Sequence, residues 1–159
     1  MDLLIRTVET TDEKGELDMK IGVMVESFRL GFRAGVEKAA QLGAAGIQAY
    51  ATGGELGFAT MTPAKAKEAL DIVKSNGIVF SAICGDFGYG FDDPARNPEM
   101  IEKSKRIIDL ALEFETNIVT THIGVVPTDP AHPRYKIMQD ACAQLAAYAD
   151  SLGAHFAIE

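Results

Sequence analysis

The sequence predicts an α/β fold of the (βα)8 TIM-barrel type, represented by four βα units and a fifth strand. Apolar segments of strand length recur five times, and their starts lie 26 to 39 residues apart. A segment with helical periodicity follows each of the first four. Strands that are apolar throughout, each followed by an amphipathic helix, are typical of a parallel sheet with helices outside it.

The predicted elements alternate along residues 20–159. Strands are predicted at residues 20–25, 46–51, 78–84, within 117–126, and at 155–159. Helices are predicted at 33–42, from Thr62 to Gly77, from Asn97 to Phe114, and from Tyr135 to Leu152. Two of these helices begin with a capping residue followed by proline, Thr62-Pro63 and Asn97-Pro98. On the third helix, Glu99–Lys103 and Glu102–Arg106 are spaced to form ion pairs.

The first 18 residues differ from the rest. They are acidic and polar after Ile5 and show no clear period, which indicates a flexible or irregular leader. A short strand at residues 3–8 is the alternative. Residues 19–159 are then expected to form one partial-barrel domain.

Two parallel architectures fit this element order, the partial barrel and a five-stranded doubly wound sheet of the flavodoxin type. The segment VESFRLGF after the first strand has neither a dinucleotide fingerprint nor a P-loop. A self-contained five-stranded domain would normally cover its last strand with a helix, whereas this sequence ends on Glu159 in the fifth strand. The barrel is therefore the favoured prediction.

The charge excludes some functions. The chain has 15 Lys and Arg against 23 Asp and Glu, a net charge of −8, which argues against a nucleic-acid-binding face.

No signal peptide is predicted, and no apolar run approaches the roughly 18 residues that span a bilayer. Cys84 and Cys142 lack metal-ligand spacing and lie in apolar stretches, as expected of a cytoplasmic protein.

Polar side chains recur where predicted strands end. Glu26 follows the first strand, Cys84 and Asp86 end or follow the third, His122 follows the fourth, and Glu159 ends the fifth. Functional side chains of a parallel barrel lie at the carboxyl ends of its strands, so these five are the candidate site residues. His155, at the start of the fifth strand, is predicted to be structural, and His132 and Arg134 to lie on the surface.

The Gly-rich loop that begins at Asp86 is long for a compact domain, which favours a functional role. Phe87, Tyr89 and Phe91 in this loop are predicted to form an apolar cover for a substrate.

Several segments together resemble the xylose-isomerase-like barrels, the sugar and sugar-phosphate isomerases and epimerases that are related to metal-dependent abasic-site endonucleases. The segments are KIGVMVESF, QLGAAGIQAYA, SAICGDFG, TTHIG and the final FAIE. The resemblance covers residues 19–159. Members of this family have eight strands, whereas this sequence supplies five, so the chain is expected to be an N-terminal part.

The resemblance implies roles for the candidate residues. Glu159 would be a ligand of a divalent metal (Mn, Mg, Co or Zn) and the catalytic carboxylate that moves a proton next to the sugar carbonyl. His122, Asp86, Glu26 and Cys84 would bind the sugar or sugar phosphate. The first alternative is a non-catalytic half-barrel that persists as a homo-oligomer or subunit, because its open sheet needs cover. An endonuclease-like hydrolase is the least favoured hypothesis, given the acidic charge.

Overall fold

The computed structural model describes residues 19–159 as one parallel sheet flanked by helices. The predicted leader, residues 1–18, lies outside the described residues. The strands are β1 (Gly22–Met24), β2 (Gly46–Tyr50), β3 (Val79–Cys84), β4 (Ile118–Thr121) and β5 (His155–Ile158). The helices are α1 (Phe32–Gln41), α2 (Pro63–Ser75), α3 (Asn97–Glu113) and α4 (Pro133–Ser151). Short 3-10 turns cover Val25–Phe28 and Gly54–Leu56. Every βα unit that the periodicity predicted is therefore present.

The strand order decides between the two architectures. All neighbouring strands are parallel, and their order in the sheet is β1-β2-β3-β4-β5. A doubly wound sheet needs a switch point where the strand order reverses, and sequential order has none. The flavodoxin-like alternative was therefore wrong, and the partial TIM barrel is confirmed.

The helices form a single layer on one side of the sheet, each packed against the next. Strand side chains on this side are fully buried, as Ile47, Ile83 and Val119 show. Three phenylalanines stack through the layer: the Phe80 ring lies 6.1 Å from Phe32 and 4.5 Å from Phe114, centroid to centroid. This apolar core fixes which face of each strand points outward.

The opposite side of the sheet, called here the open face, is not covered by helices. Alternate residues of the strands lie on it, among them Gln48, Tyr50, Val79, Ile118 and Thr120. The Gln48 amide donates to the Thr120 hydroxyl at 2.7 Å, across β3. In a closed barrel this face would become the packed interior.

A β-bulge in β3 changes which residues reach the open face. Ile47 pairs with Phe80 but Gln48 pairs with Ala82, so Ser81 is the extra residue. The Ser81 hydroxyl donates to the Ile47 carbonyl at 2.9 Å. After the bulge Cys84 pairs with Tyr50 and Thr120 and lies on their face of the sheet.

Some local predictions were wrong. Arg96, not Asn97, occupies the N-cap position of α3, and the Asn97 amide donates to the Phe91 carbonyl instead. Glu102 pairs with Lys105 at 2.7 Å rather than with Arg106, while the predicted Glu99–Lys103 pair forms at 2.7 Å. Within residues 19–159 no helix is both long and apolar enough to cross a bilayer.

Candidate active site

The carboxyl ends of β3, β4 and β5 bring three candidate residues together. Asp86 lies two residues beyond β3, and His122 and Glu159 directly follow β4 and β5. Backbone hydrogen bonds continue past the strands and keep these ends in register. The Gly85 N–H donates to the Thr120 carbonyl at 2.8 Å, and the Glu159 N–H donates to the Thr121 carbonyl at 2.9 Å.

The three side chains form a continuous row. His122 Nδ1 lies 3.0 Å from Asp86 Oδ2, and His122 Nε2 lies 3.4 Å from Glu159 Oε2. The other Asp86 oxygen, Oδ1, accepts from the Gly88 N–H at 2.7 Å. The Asp86 side chain is 19% exposed, against 61% for His122 and 59% for Glu159. A fixed, largely buried carboxylate therefore orients an imidazole that solvent or a ligand can reach.

The loop after β3 is held tightly against the segment after β4. The Phe91 N–H donates to the Ile123 carbonyl at 3.0 Å. A Cβ on Gly90 would lie 2.7 Å from that carbonyl oxygen and 2.8 Å from the Gly124 Cα. Phe91 is completely buried in the core, so the prediction that it covers a substrate was wrong. Tyr89 is exposed, and Phe87 packs edge-on against Phe58.

Cys84 is buried beside the row, on the open face. Burial raises the pKa of the Cys84 thiol, and the nearby carboxylates of Asp86 and Glu159 add to this effect. Hydrogen bonds with the Asp86 backbone and the Thr120 side chain act in the opposite direction. The net result is a neutral thiol at neutral pH, which disfavours a nucleophilic role.

Tyr50 joins the row to the loops after β1 and β2. Cys84 is the main cause that raises the pKa of Tyr50, followed by burial, Asp86 and Glu26. The phenol therefore stays protonated and can donate a hydrogen bond to an acceptor on a ligand. Glu26, in the turn after β1, accepts from the Tyr50 N–H through Oε1 at 2.9 Å.

Glu26 lies apart from the row, at a cavity between the turns that follow β1 and β2. The cavity has a volume of about 410 Å³, within the range of small-molecule sites. Its lining includes Glu26, Arg29, Phe32, Tyr50, Glu55 and Leu56.

The described residues do not form a metal site by themselves. In residues 19–159 no group of three or more His, Cys, Asp or Glu side chains could hold a metal ion. The geometry of the row gives the reason: the two nitrogens of His122 face different carboxylates, so the three groups do not surround one point. Glu159 remains the carboxylate that β5 presents at the open face.

Sequence reasoning missed Tyr50, Gln48 and Thr120. Their signal was present as polar residues at alternate positions in the otherwise apolar segments GIQAY and IVTT. Arg29 and Glu55 carried no such signal, because they lie in turns whose position depends on the folded sheet. The surface histidine predicted at position 132 caps α4, where its Nδ1 accepts from the Arg134 N–H at 3.1 Å.

Comparison with known proteins points to one family. The family model described as a xylose isomerase-like TIM barrel matches residues 36–159. No curated protein matches the chain.

Solved structures share the fold at low sequence identity. A xylose isomerase domain protein from Planctomyces limnophilus is 21% identical with a TM-score of 0.71, covering 87% of this chain and 52% of its own. D-psicose 3-epimerase with D-tagatose, from Clostridium cellulolyticum, is 14% identical with a TM-score of 0.68, covering 87% and 51%. A xylose isomerase-like TIM barrel protein from Mycobacterium smegmatis, in complex with magnesium, is 14% identical with a TM-score of 0.64, covering 87% and 54%. The chain thus spans about half the length of these structures.

Proposed function

Because the chain belongs to the xylose isomerase-like TIM-barrel family, we propose that it forms the β1–β5 side of a sugar or sugar-phosphate isomerase or epimerase site. The Asp86–His122–Glu159 row at the carboxyl edge of the sheet is the observation that carries this proposal. The row supports the proposal because it lies at the edge where barrel enzymes bind substrates, with Glu159 as the proposed general base and His122 as the imidazole beside Asp86.

The proposed reaction is proton transfer at the carbon next to a ketose carbonyl. Glu159 removes the proton, and the electron pair of the broken C–H bond moves toward the carbonyl oxygen to form an enediolate. His122, oriented by Asp86, hydrogen-bonds a substrate hydroxyl, and the phenol of Tyr50 donates to another. Return of the proton to the other face or the neighbouring carbon completes epimerisation or isomerisation. A second carboxylate for that step would come from outside residues 19–159.

We also assign Glu159 as one ligand of a divalent metal (Mn, Mg, Co or Zn), by analogy with the magnesium-bound relative. The remaining ligands would lie outside the described residues. The two cysteines are free thiols, which supports a reducing, cytoplasmic setting.

The test measures deuterium uptake from D2O into ketohexoses by ¹H NMR, with the 159-residue protein and each of the four metals. We expect exchange at a carbon next to the carbonyl, and a loss of about 100-fold or more in His122→Asn and Glu159→Gln, the usual contribution of general acid–base groups. His155→Asn and Glu37→Gln are the matched controls, since both residues are exposed and lie away from the row. Absence of exchange with every metal would overturn the proposed activity for this chain, and equal loss in His155→Asn would overturn the roles assigned to the row.

A second candidate is a half-barrel that persists by pairing with another copy of itself. The open face favours it: Val79 is 59% exposed, Tyr50 38% and Ile118 36%. These side chains form an uncharged, partly apolar surface, the composition found at the centre of homodimer interfaces.

A further inference from the structure

The cavity between the turns after β1 and β2 contains two carboxylates that the fold holds in place. Glu26 Oε1 accepts from the Tyr50 N–H at 2.9 Å. Glu55 Oε1 accepts from the Phe32 N–H at 2.7 Å. Each carboxylate thus keeps a second oxygen that can accept a hydrogen bond from a ligand hydroxyl.

The carboxylate of Glu55 also lies against the N-terminus of α1. Phe32 is the first residue of this helix, and its N–H belongs to the group of donors that would otherwise bind an anion. Because the carboxylate of Glu55 already satisfies the Phe32 N–H and carries a negative charge, a phosphate is disfavoured at this helix end.

The charges that line the cavity favour a neutral ligand. Arg29 contributes one positive charge, and Glu26 and Glu55 contribute two negative ones. A phosphate ester brings about two further negative charges and would lie against both carboxylates, which is unfavourable at close range. A polyol can instead donate hydroxyls to the carboxylates, accept from Arg29, and pack its carbon skeleton on the side chains of Phe32 and Leu56.

The cavity is connected to the catalytic row through Tyr50. The Tyr50 N–H donates to Glu26, and in the sheet Tyr50 pairs with Cys84, which precedes Asp86 by two residues. We place the reacting carbon of the sugar at Glu159 and its far end beyond Tyr50, in the cavity that Tyr50 lines. This placement of the sugar rests on the function proposed above.

We propose that the cavity receives the uncharged, hydroxyl-bearing end of the sugar farthest from the reacting carbon, and that Glu26 and Glu55 exclude a phosphate ester from that position. The substrate class is accordingly an unphosphorylated sugar rather than a sugar phosphate.

The test compares a ketohexose with its 6-phosphate by titrating the ¹⁵N-labelled full chain at low ionic strength. We expect the ketohexose to shift the amide signals of Tyr50, Thr52 and Glu55 and to bind at least about tenfold more tightly, a difference of about 1.4 kcal/mol. Glu55→Gln and Glu26→Gln remove charge but keep an acceptor oxygen for the Phe32 and Tyr50 N–H groups. Each of these two variants should bind the 6-phosphate more tightly, relative to the unphosphorylated ketohexose, than the unmodified protein does. Glu37→Gln, on the exposed side of α1, should not change this ratio of affinities.

Tighter binding of the phosphate to the unmodified protein would overturn this inference while leaving the proposed chemistry intact. If neither ligand shifts these signals, the cavity does not receive a sugar and the inference is wrong. The proposed function fails separately, by absence of proton exchange with solvent.

Discussion

At the scale of single residues, two glycines make a close backbone contact near the Asp86–His122 pair. A Cβ on Gly124 would lie 2.9 Å from the Gly90 Cα, and Gly124 has a φ of +89°. The β3–α3 loop can approach the segment after β4 so closely because neither residue has a side chain. The contact adds to the backbone hydrogen bonds that hold the loop containing Asp86 beside the segment containing His122.

Gly90→Ala should therefore destabilise the protein by about 1 to 3 kcal/mol, the usual cost of overpacking. The added methyl group would collide with the Ile123 carbonyl and the Gly124 backbone. The measurement is the free energy of unfolding from urea denaturation.

Gly53→Ala is the matched control, because a Cβ at Gly53 meets no atom within 4 Å and its φ of −171° is open to any residue. We expect a change within about 0.5 kcal/mol there. Equal stability of the Gly90 and Gly53 variants would show that the loop contact is not tight.

At the scale of elements, helix starts are set by local side chains in some places and by tertiary contacts in others. Thr62 Oγ1 accepts from the Lys65 N–H at 3.3 Å, and Pro63 follows as the first helical residue, as the sequence predicted. Asn97-Pro98 has the same pattern, but Asn97 turns inward to the Phe91 carbonyl. The buried Phe91 carbonyl requires a hydrogen-bond donor, and this requirement outweighed the preference of Asn97 for the N-cap position.

Thr62→Ala should lower the stability of the protein by about 1 kcal/mol, because the N-terminal turn of α2 loses its side-chain acceptor. For a chain of this size that corresponds to a fall of roughly 2 to 4 °C in Tm. Thermal unfolding followed by circular dichroism measures it. Thr62→Ser keeps the hydroxyl and should unfold close to the unmodified protein, and an equal loss in both variants would argue against the cap.

At the scale of the whole molecule, helices cover one side of the sheet in residues 19–159 and leave the open face uncovered. Among residues 19–159, β1 and β5 each have one strand neighbour. The exposed Val79 and Ile118 lie where a closed barrel has its interior. Covering this surface would stabilise the fold by removing apolar area from water.

If a second copy covers the open face, the protein should sediment as a dimer whose dissociation depends on concentration. Val79→Asp, alone or with Ile118→Asp, should shift the equilibrium toward monomer. Dimerisation would bury the introduced carboxylate, and the loss of its hydration is unfavourable. Leu42→Asp is the control, since Leu42 is equally exposed but lies at the end of α1. A folded monomer at all concentrations would contradict the second-copy proposal.

The sequence alone determined the repeat and the strand-end positions of the site. Apolar periodicity located the five strands and four α-helices of residues 19–159. The polar residues at the ends of the apolar runs were predicted to lie at the carboxyl edge of the sheet: Glu26, Cys84, Asp86, His122 and Glu159. These features follow from local patterns, because the hydrophobic periodicity of each segment alone indicates its secondary structure and its buried face.

Tertiary structure decided what local patterns cannot encode. The bulge at Ser81 put Cys84 on the open face, because register is set by pairing between strands rather than within one. The sequential strand order settled the barrel, and chain folding brought Glu26, Arg29 and Glu55 around one cavity. Each of these depends on contacts between segments far apart in sequence, and such contacts exist only once the sheet has formed.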